Sequence, residues 1–227
     1  MAVSEAKSGI RTLRDTMVQL GLAPRSSGAD GPDHGDEVLK ALLLAGLSPN
    51  IARVAVPRQK YQETIAGAIS IDRQARELAL FAPESTGATG SGGWRGHRSD
   101  RRVFVHPQST MFSEASYKTP FAAYFRLHAS PMAGRKLMLR DITVPSMYAL
   151  LLFGPCLVVD HEYKVVEAGP GLSVRAWPRI GVLVASLRRL LDELLRRRLD
   201  DAGLDICAHP IVDTVLQLIR TDGALLQ

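Results

Sequence analysis

Hydrophobic residues recur at three- and four-residue steps near both ends of the chain and alternate with polar ones between them. In "GIRTLRDTMVQLGL", Ile10, Leu13, Met17 and Leu20 predict a helix closed by Gly21 and Pro24. A second helix is predicted in "EVLKALLLAG", with Val38, Leu39, Leu42 and Leu43 on one face and Asp36 as its cap. The longest periodic run, "RIGVLVASLRRLLDELLRRRLD", places Ile180, Leu183, Leu187, Leu190, Leu191 and Leu194 in one arc. Arg188, Arg189, Asp192, Glu193 and Arg196 fall opposite, and "HPIVDTVLQLIR" predicts a last short helix stopped by Asp222 and Gly223.

Between the helices the period drops to two. Strands are expected within 52–57, 101–106, 121–128, 136–143, 156–160 and 163–175, punctuated by Pro, Gly and Ser. "ISIDRQARELALF" could hold a further short strand, and the run "YALLLFGPCLVVD" also reads as strand material. In "RRVFVHP", Val103 and Val105 share one face, with Phe104 and His106 on the other; Leu137 and Leu139 oppose Lys136, Met138 and Arg140. The resulting fold class is α+β: a small antiparallel barrel with an N-terminal helical segment and a long C-terminal helix, 179–199, packed beside it.

Two stretches interrupt the pattern. "APRSSGADGPDHG" is a linker by composition, and the Gly/Ser-rich stretch from Pro83 to Asp100 is expected to be a mobile loop. It ends in "WRGHRSDRR", where Arg95, Arg98, Arg101 and Arg102 face only Asp100. Flexible arginines beside Trp94 suit a phosphate backbone and a base. Lys plus Arg exceed Asp plus Glu by 28 to 23, a net charge of +5 that leans modestly toward polyanions. Cys156 and Cys207, 51 positions apart, make neither a zinc knuckle nor a disulfide scaffold, and suggest a reduced, intracellular setting. The first twenty residues carry charges throughout, so no secretory signal is read, and no 18-residue apolar window predicts a membrane span.

Catalytic patterns do not emerge. GxxxxGK[ST], GxSxG, HExxH and CxxC do not occur, and the histidines at 34, 97, 106, 128, 161 and 209 lack ligand spacing. Asp160, His161 and Glu162 are adjacent, but strand neighbours point to opposite sides, which favours a turn over an acid–base centre. His106 before Pro107 reads as a strand-end residue that hydrogen-bonds locally. No catalytic residue, metal or cofactor is expected.

The order of "VLKALLLAGLSPNIARV", "RRVFVHPQSTMF", "KLMLRDITVPSMYALLLFG" and "VLVASLRRLLDELL" resembles the C-terminal region of DEAH/RHA-type RNA helicases. That region comprises the end of the helical ratchet domain and an auxiliary OB-fold barrel. The resemblance implies a division into 1–50 (the ratchet end), 51–178 (the OB-fold barrel with a flexible 83–100 loop) and 179–227 (a C-terminal helical extension packed on the barrel). It also implies contact with single-stranded RNA, the subgroup with "ALLLFG" including large RNA- and G-quadruplex-resolving members. "VFVHPQST" aligns with the family's "VFLHPSS" strand and loop: Ser109 stands at the second serine and Gln108 replaces the first. Lys136 falls at a basic position before the strand, and Arg140 and Asp141 match the "RD" pair.

The expected nucleic-acid contacts are therefore Trp94, Arg95, Arg98, Arg101, Arg102, Ser109, Tyr117, Lys136 and Arg140, with DNA or a G-quadruplex as related ligands. The alternative reading is a protein-interaction module docking on the RecA-like or ratchet domains of a helicase or on an activator protein. With no P-loop or DEAH box in the sequence, no ATPase of that kind is expected on this chain, whatever label the family resemblance attracts.

Overall fold

Five short strands with small inward residues close on themselves. The computed structural model describes residues 2–21, 35–55, 61–64, 67–70, 77–83, 100–130, 136–169 and 171–224. Its barrel is built from β1 (Ile51–Ala55), β4 (Ala79–Pro83), β5 (Asp100–Val105), β7 (Lys136–Thr143) and β6 (Phe121–Ser130), in the spatial order β1-β4-β5-β7-β6. A separate hairpin, β2 (Tyr61–Thr64) with β3 (Gly67–Ser70), lies in the chain between β1 and β4. All pairings in the barrel are antiparallel except β5 with β7, which run parallel with Phe104 opposite Met138. Ala52, Val54, Leu80, Ala82, Val103 and Leu139 fill the interior, small residues sparing room for the larger ones in a narrow barrel. The stretch 84–99, where a mobile loop was expected, lies outside the described residues.

The barrel differs from the sequence expectation in which segments form its staves. Residues 156–160 and 163–175 form not barrel staves but a second, three-stranded sheet: β8 (Val158–Asp160), β9 (Val165–Gly169) and β10 (Leu172–Arg175). The fifth stave is β4, from the loosely alternating stretch before the glycine-rich segment. "YALLLF" is a helix, α3 (Met147–Phe153), started by Ser146, whose hydroxyl accepts from the Ala149 N–H at 3.3 Å. An unbroken apolar run of that length does not separate strand from buried helix. Strand alternation also slips at Asp141, which adopts φ 54°: Leu137 and Leu139 face the barrel interior before it, and Ile142 and Val144 after it.

The helices gather on the other side of β1 and β6. α2 (Asp36–Leu47) buries Val38, Ala41 and Leu44 against α3, α5 and β6, and leaves Leu39, Leu42 and Leu43 exposed. This corrects the expected face. A helix with leucine nearly all round offers two apolar arcs, and the one containing Ala41 allows the closer approach. Asp36 is the first helical residue rather than the cap, which is Gly35. In α1 (Ala2–Gln19) the expected stripe is present, but Ile10, Leu13 and Met17 are exposed, as is Leu20 just beyond the helix.

α4 (Pro178–Asp200) packs on α3, α5 (Pro210–Thr221) and the second sheet. It buries Gly181, Val184, Leu191 and Leu194, whereas Ile180, Leu183 and Leu190 from the expected arc are exposed. Gly181 decides the contact side: a Cβ there would lie 2.8 Å from Val166 Cγ2 and 3.0 Å from Val159 Cγ2. Arg188, expected on the solvent side, instead donates to the carbonyls of Gly154 at 2.8 Å and Leu151 at 3.4 Å, closing the C-terminal end of α3. Gly181→Leu is expected to lower stability by about 1–3 kcal/mol through overpacking against β8 and β9. A urea unfolding curve checks this, and an unchanged midpoint would mean that α4 does not press on the sheet there.

Candidate nucleic-acid interface

The side chains that alternate with the barrel core form a row on its outer surface. β1 supplies Arg53, β4 Phe81, β5 Arg102 and Phe104, and β7 Lys136. Register sets them side by side, with Arg53 opposite Phe81 and Phe81 opposite Arg102. The Arg53 guanidinium lies 4.8 Å from the centre of the Phe81 ring, and Arg102 lies 5.4 Å from the same ring and 5.3 Å from that of Phe104. Lys136 Nζ completes the row 5.2 Å from the Phe104 ring. Cation and aromatic thus alternate across four strands, each ring holding a long flexible cation over its face.

The charges in this row are not equally available. Arg53 forms an ion pair with Asp100 at 3.0 Å. Arg102 donates to the Leu78 carbonyl at 3.2 Å, which orients the guanidinium without neutralising it. Arg102 and Lys136 are both exposed, so they present the usable positive charge.

Farther along the same face, Met138 sits opposite His128 and Arg140 opposite Arg126. The His106 and His128 rings are 5.6 Å apart. Arg140 Nη2 lies 2.8 Å from His106 Nε2, and the Gln108 N–H approaches His106 Nδ1 at 3.1 Å. A neutral imidazole has one bare nitrogen and so accepts from one of these donors at a time; imidazolium accepts from neither. Desolvation, then the Arg140 charge and the neighbouring His128, holds the His106 pKa below the ordinary histidine value.

A histidine depressed in the folded state binds its proton more weakly than in the unfolded chain. Its contribution to stability is therefore intact above about pH 6.5 and is lost as pH falls through the folded-state value. The urea midpoint is expected to drop between pH 7 and pH 5, and His106→Asn to make that drop smaller. Identical pH profiles for the two proteins would contradict this.

A family model described as the oligonucleotide/oligosaccharide-binding (OB)-fold matches residues 39–157, and one described as the C-terminal domain in RNA helicases matches 169–221. The chain belongs to the OB-fold family found in DEAH/RHA-type RNA helicases. A protein of Mycosarcoma maydis named as a DEAH-box ATP-dependent helicase is 34% identical over 82% of this chain and 12% of its own length. Proteins of Schizosaccharomyces pombe and Saccharomyces cerevisiae, each named as an ATP-dependent RNA helicase, are 27% and 25% identical over 73% and 87% of this chain. The chain spans 11% and 17% of those two proteins. It is similar to a small C-terminal part of those proteins, and its sequence contains neither the P-loop nor the DEAH box of the motor.

In the OB-fold barrel, β4 and β5 are the second and third staves, the face on which such barrels hold oligonucleotides. Of the residues expected from sequence, the structure brings Arg102 and Lys136 together there, both against the Phe104 ring. Arg101 is exposed on the alternate side of β5, where the strand pairs it with Ala82. Arg140 belongs to the histidine cluster. Ser109 caps a 3-10 turn at Thr110–Phe112, accepting from the Met111 N–H at 3.3 Å. Tyr117 is half-buried with its hydroxyl 3.5 Å from the Met111 carbonyl, and burial followed by the Glu114 charge raises its pKa. Trp94, Arg95 and Arg98 lie outside the described residues.

Sequence reasoning missed Arg53, Phe81, Arg126 and His128. Alternation marks each as outward or ambiguous, but only register makes them neighbours. Asp160 closes a turn, its Oδ1 accepting from the Glu162 and Tyr163 N–H groups at 3.0 Å, as expected of a turn rather than an acid–base centre. Among the described residues no group of three His, Cys, Asp or Glu could hold a metal ion.

Proposed function

We propose that the chain binds single-stranded RNA along the outer face of β4, β5 and β7, as an accessory module of a helicase. The observation that carries this is the row Arg53–Phe81–Arg102–Phe104–Lys136. Alternating cations and rings offer a strand both phosphate contacts and stacking surfaces, with no demand on base identity. Arg101, Arg140, Ser109 and Tyr117 act around this row, the last two by fixing the loop after β5. Trp94, Arg95 and Arg98, which lie outside the described residues, would add further stacking and phosphate contacts. Single-stranded DNA or an opened G-quadruplex presents the same backbone chemistry. Under this reading residues 1–50 and 179–227 are the helical parts flanking the barrel unit 51–178.

A specific observation also favours a second role, docking on a helicase core or an activator: the exposed apolar residues of α1 and of the outer arc of α2. The test of the first role is fluorescence anisotropy with a labelled 12-mer oligouridine at low salt. Phe104→Ala is expected to weaken binding about tenfold, the worth of one stacking platform and the cations it orients. Its urea midpoint is the control for folding. Undiminished affinity in a folded Phe104→Ala protein would move the weight to docking.

A further inference from the structure

Beside the charged row lies a groove of about 690 Å³, opening where β4 and β5 part beyond the Leu80–Val103 pair. Leu78, Val103 and Val105 line it, and Met111, Phe112 and Tyr117 contribute from the segment after β5. That segment is fixed in place by the Ser109 cap and the Tyr117 hydroxyl. Phe112 is 51% exposed, a large aromatic left open to solvent at the groove. Phe104, Arg102 and Lys136 also line it, so the two cations on the Phe104 ring stand directly against an apolar cleft.

We propose that this groove receives an unstacked base of the bound strand, while Arg102 and Lys136 hold the adjoining phosphates. The inference rests on the RNA-binding reading above and deepens it by naming a base subsite. A nucleotide joins a flat, largely apolar ring to an anion a few ångströms away. The groove matches this with an aromatic and aliphatic lining and two cations, and among the described residues Glu114 is the one acidic side chain that lines it. An apolar peptide would be served by the same lining but gives no use to the paired cations. The volume lies within the range of small-ligand clefts and is ample for a base.

The experiment compares a 12-mer oligouridine with an abasic phosphodiester of the same length, using the whole chain and its Phe112→Ala and Arg102→Ala/Lys136→Ala variants. The base-bearing oligomer is expected to bind about tenfold tighter than the abasic one. Phe112→Ala should remove most of that preference and leave abasic binding unchanged, and 4-thiouridine in the oligomer should crosslink to the 111–117 segment. Equal affinity for the two oligomers, or a preference untouched by Phe112→Ala, overturns the base subsite and leaves the groove to an apolar protein segment. The RNA reading still stands in that case if Arg102→Ala/Lys136→Ala weakens the abasic oligomer. If neither oligomer binds the unaltered chain, the RNA reading itself fails.

Discussion

Phe121→Ala is expected to destabilise the chain by about 3–5 kcal/mol, the usual cost of emptying a large aromatic site in a packed core. Phe121 opens β6, pairs with Arg53 of β1, and is 1% exposed. Its ring belongs to the cluster that includes Leu44, Ile51, Leu150 and Ile219, so one side chain joins the barrel wall to α2, α3 and α5. The backbone around it has little freedom to collapse into the void. The buried Thr119 hydroxyl lies 3.1 Å from the carbonyl oxygens of both Phe121 and Pro145, tying the start of β6 to the entry of α3. Phe121→Leu, which keeps most of the volume, should cost clearly less. Urea unfolding reads both; a loss below about 1 kcal/mol for the alanine variant would mean that the helices are not seated on the barrel through this residue.

Much of this arrangement is written locally in the chain, and the remainder is not. The pairs Val103 with Val105 and Leu137 with Leu139 alternate cleanly, and the change of period near residue 179 marks α4 within a residue of its start. What defeats local reading is choice among equivalent faces. The leucines of α2 do not reveal which arc is buried, and Gly181, silent on a helical wheel, selects the contact side of α4. Barrel closure depends on β4, whose residues look no more strand-like than β8 to β10, and on a parallel β5–β7 junction joining segments more than 30 positions apart.

The candidate site divides the same way. Arg102 and Lys136 stand out as cations flanking outward strand positions. Arg53 and Phe81 become neighbours only through register, and register also brings Asp100 to Arg53, 47 positions away in the chain.

The central claim is that this outer face carries the phosphates of a single strand, and the salt dependence of binding tests it most directly. Each phosphate neutralised on a single strand releases about 0.7 counterion, so a plot of log affinity against log salt counts the contacts. Arg102→Ala/Lys136→Ala removes the two exposed cations of the Arg53–Lys136 row, and its slope for oligouridine should be shallower than that of the unaltered chain by about 1.4. At about 50 mM salt the same loss amounts to a fall in affinity on the order of tens-fold. Arg53→Ala should change the slope much less, because its charge is already balanced by Asp100. The measurement is an anisotropy titration of the three proteins across a salt series. A shallower line for the double variant alone is the result predicted here, and parallel lines for all three would contradict the account.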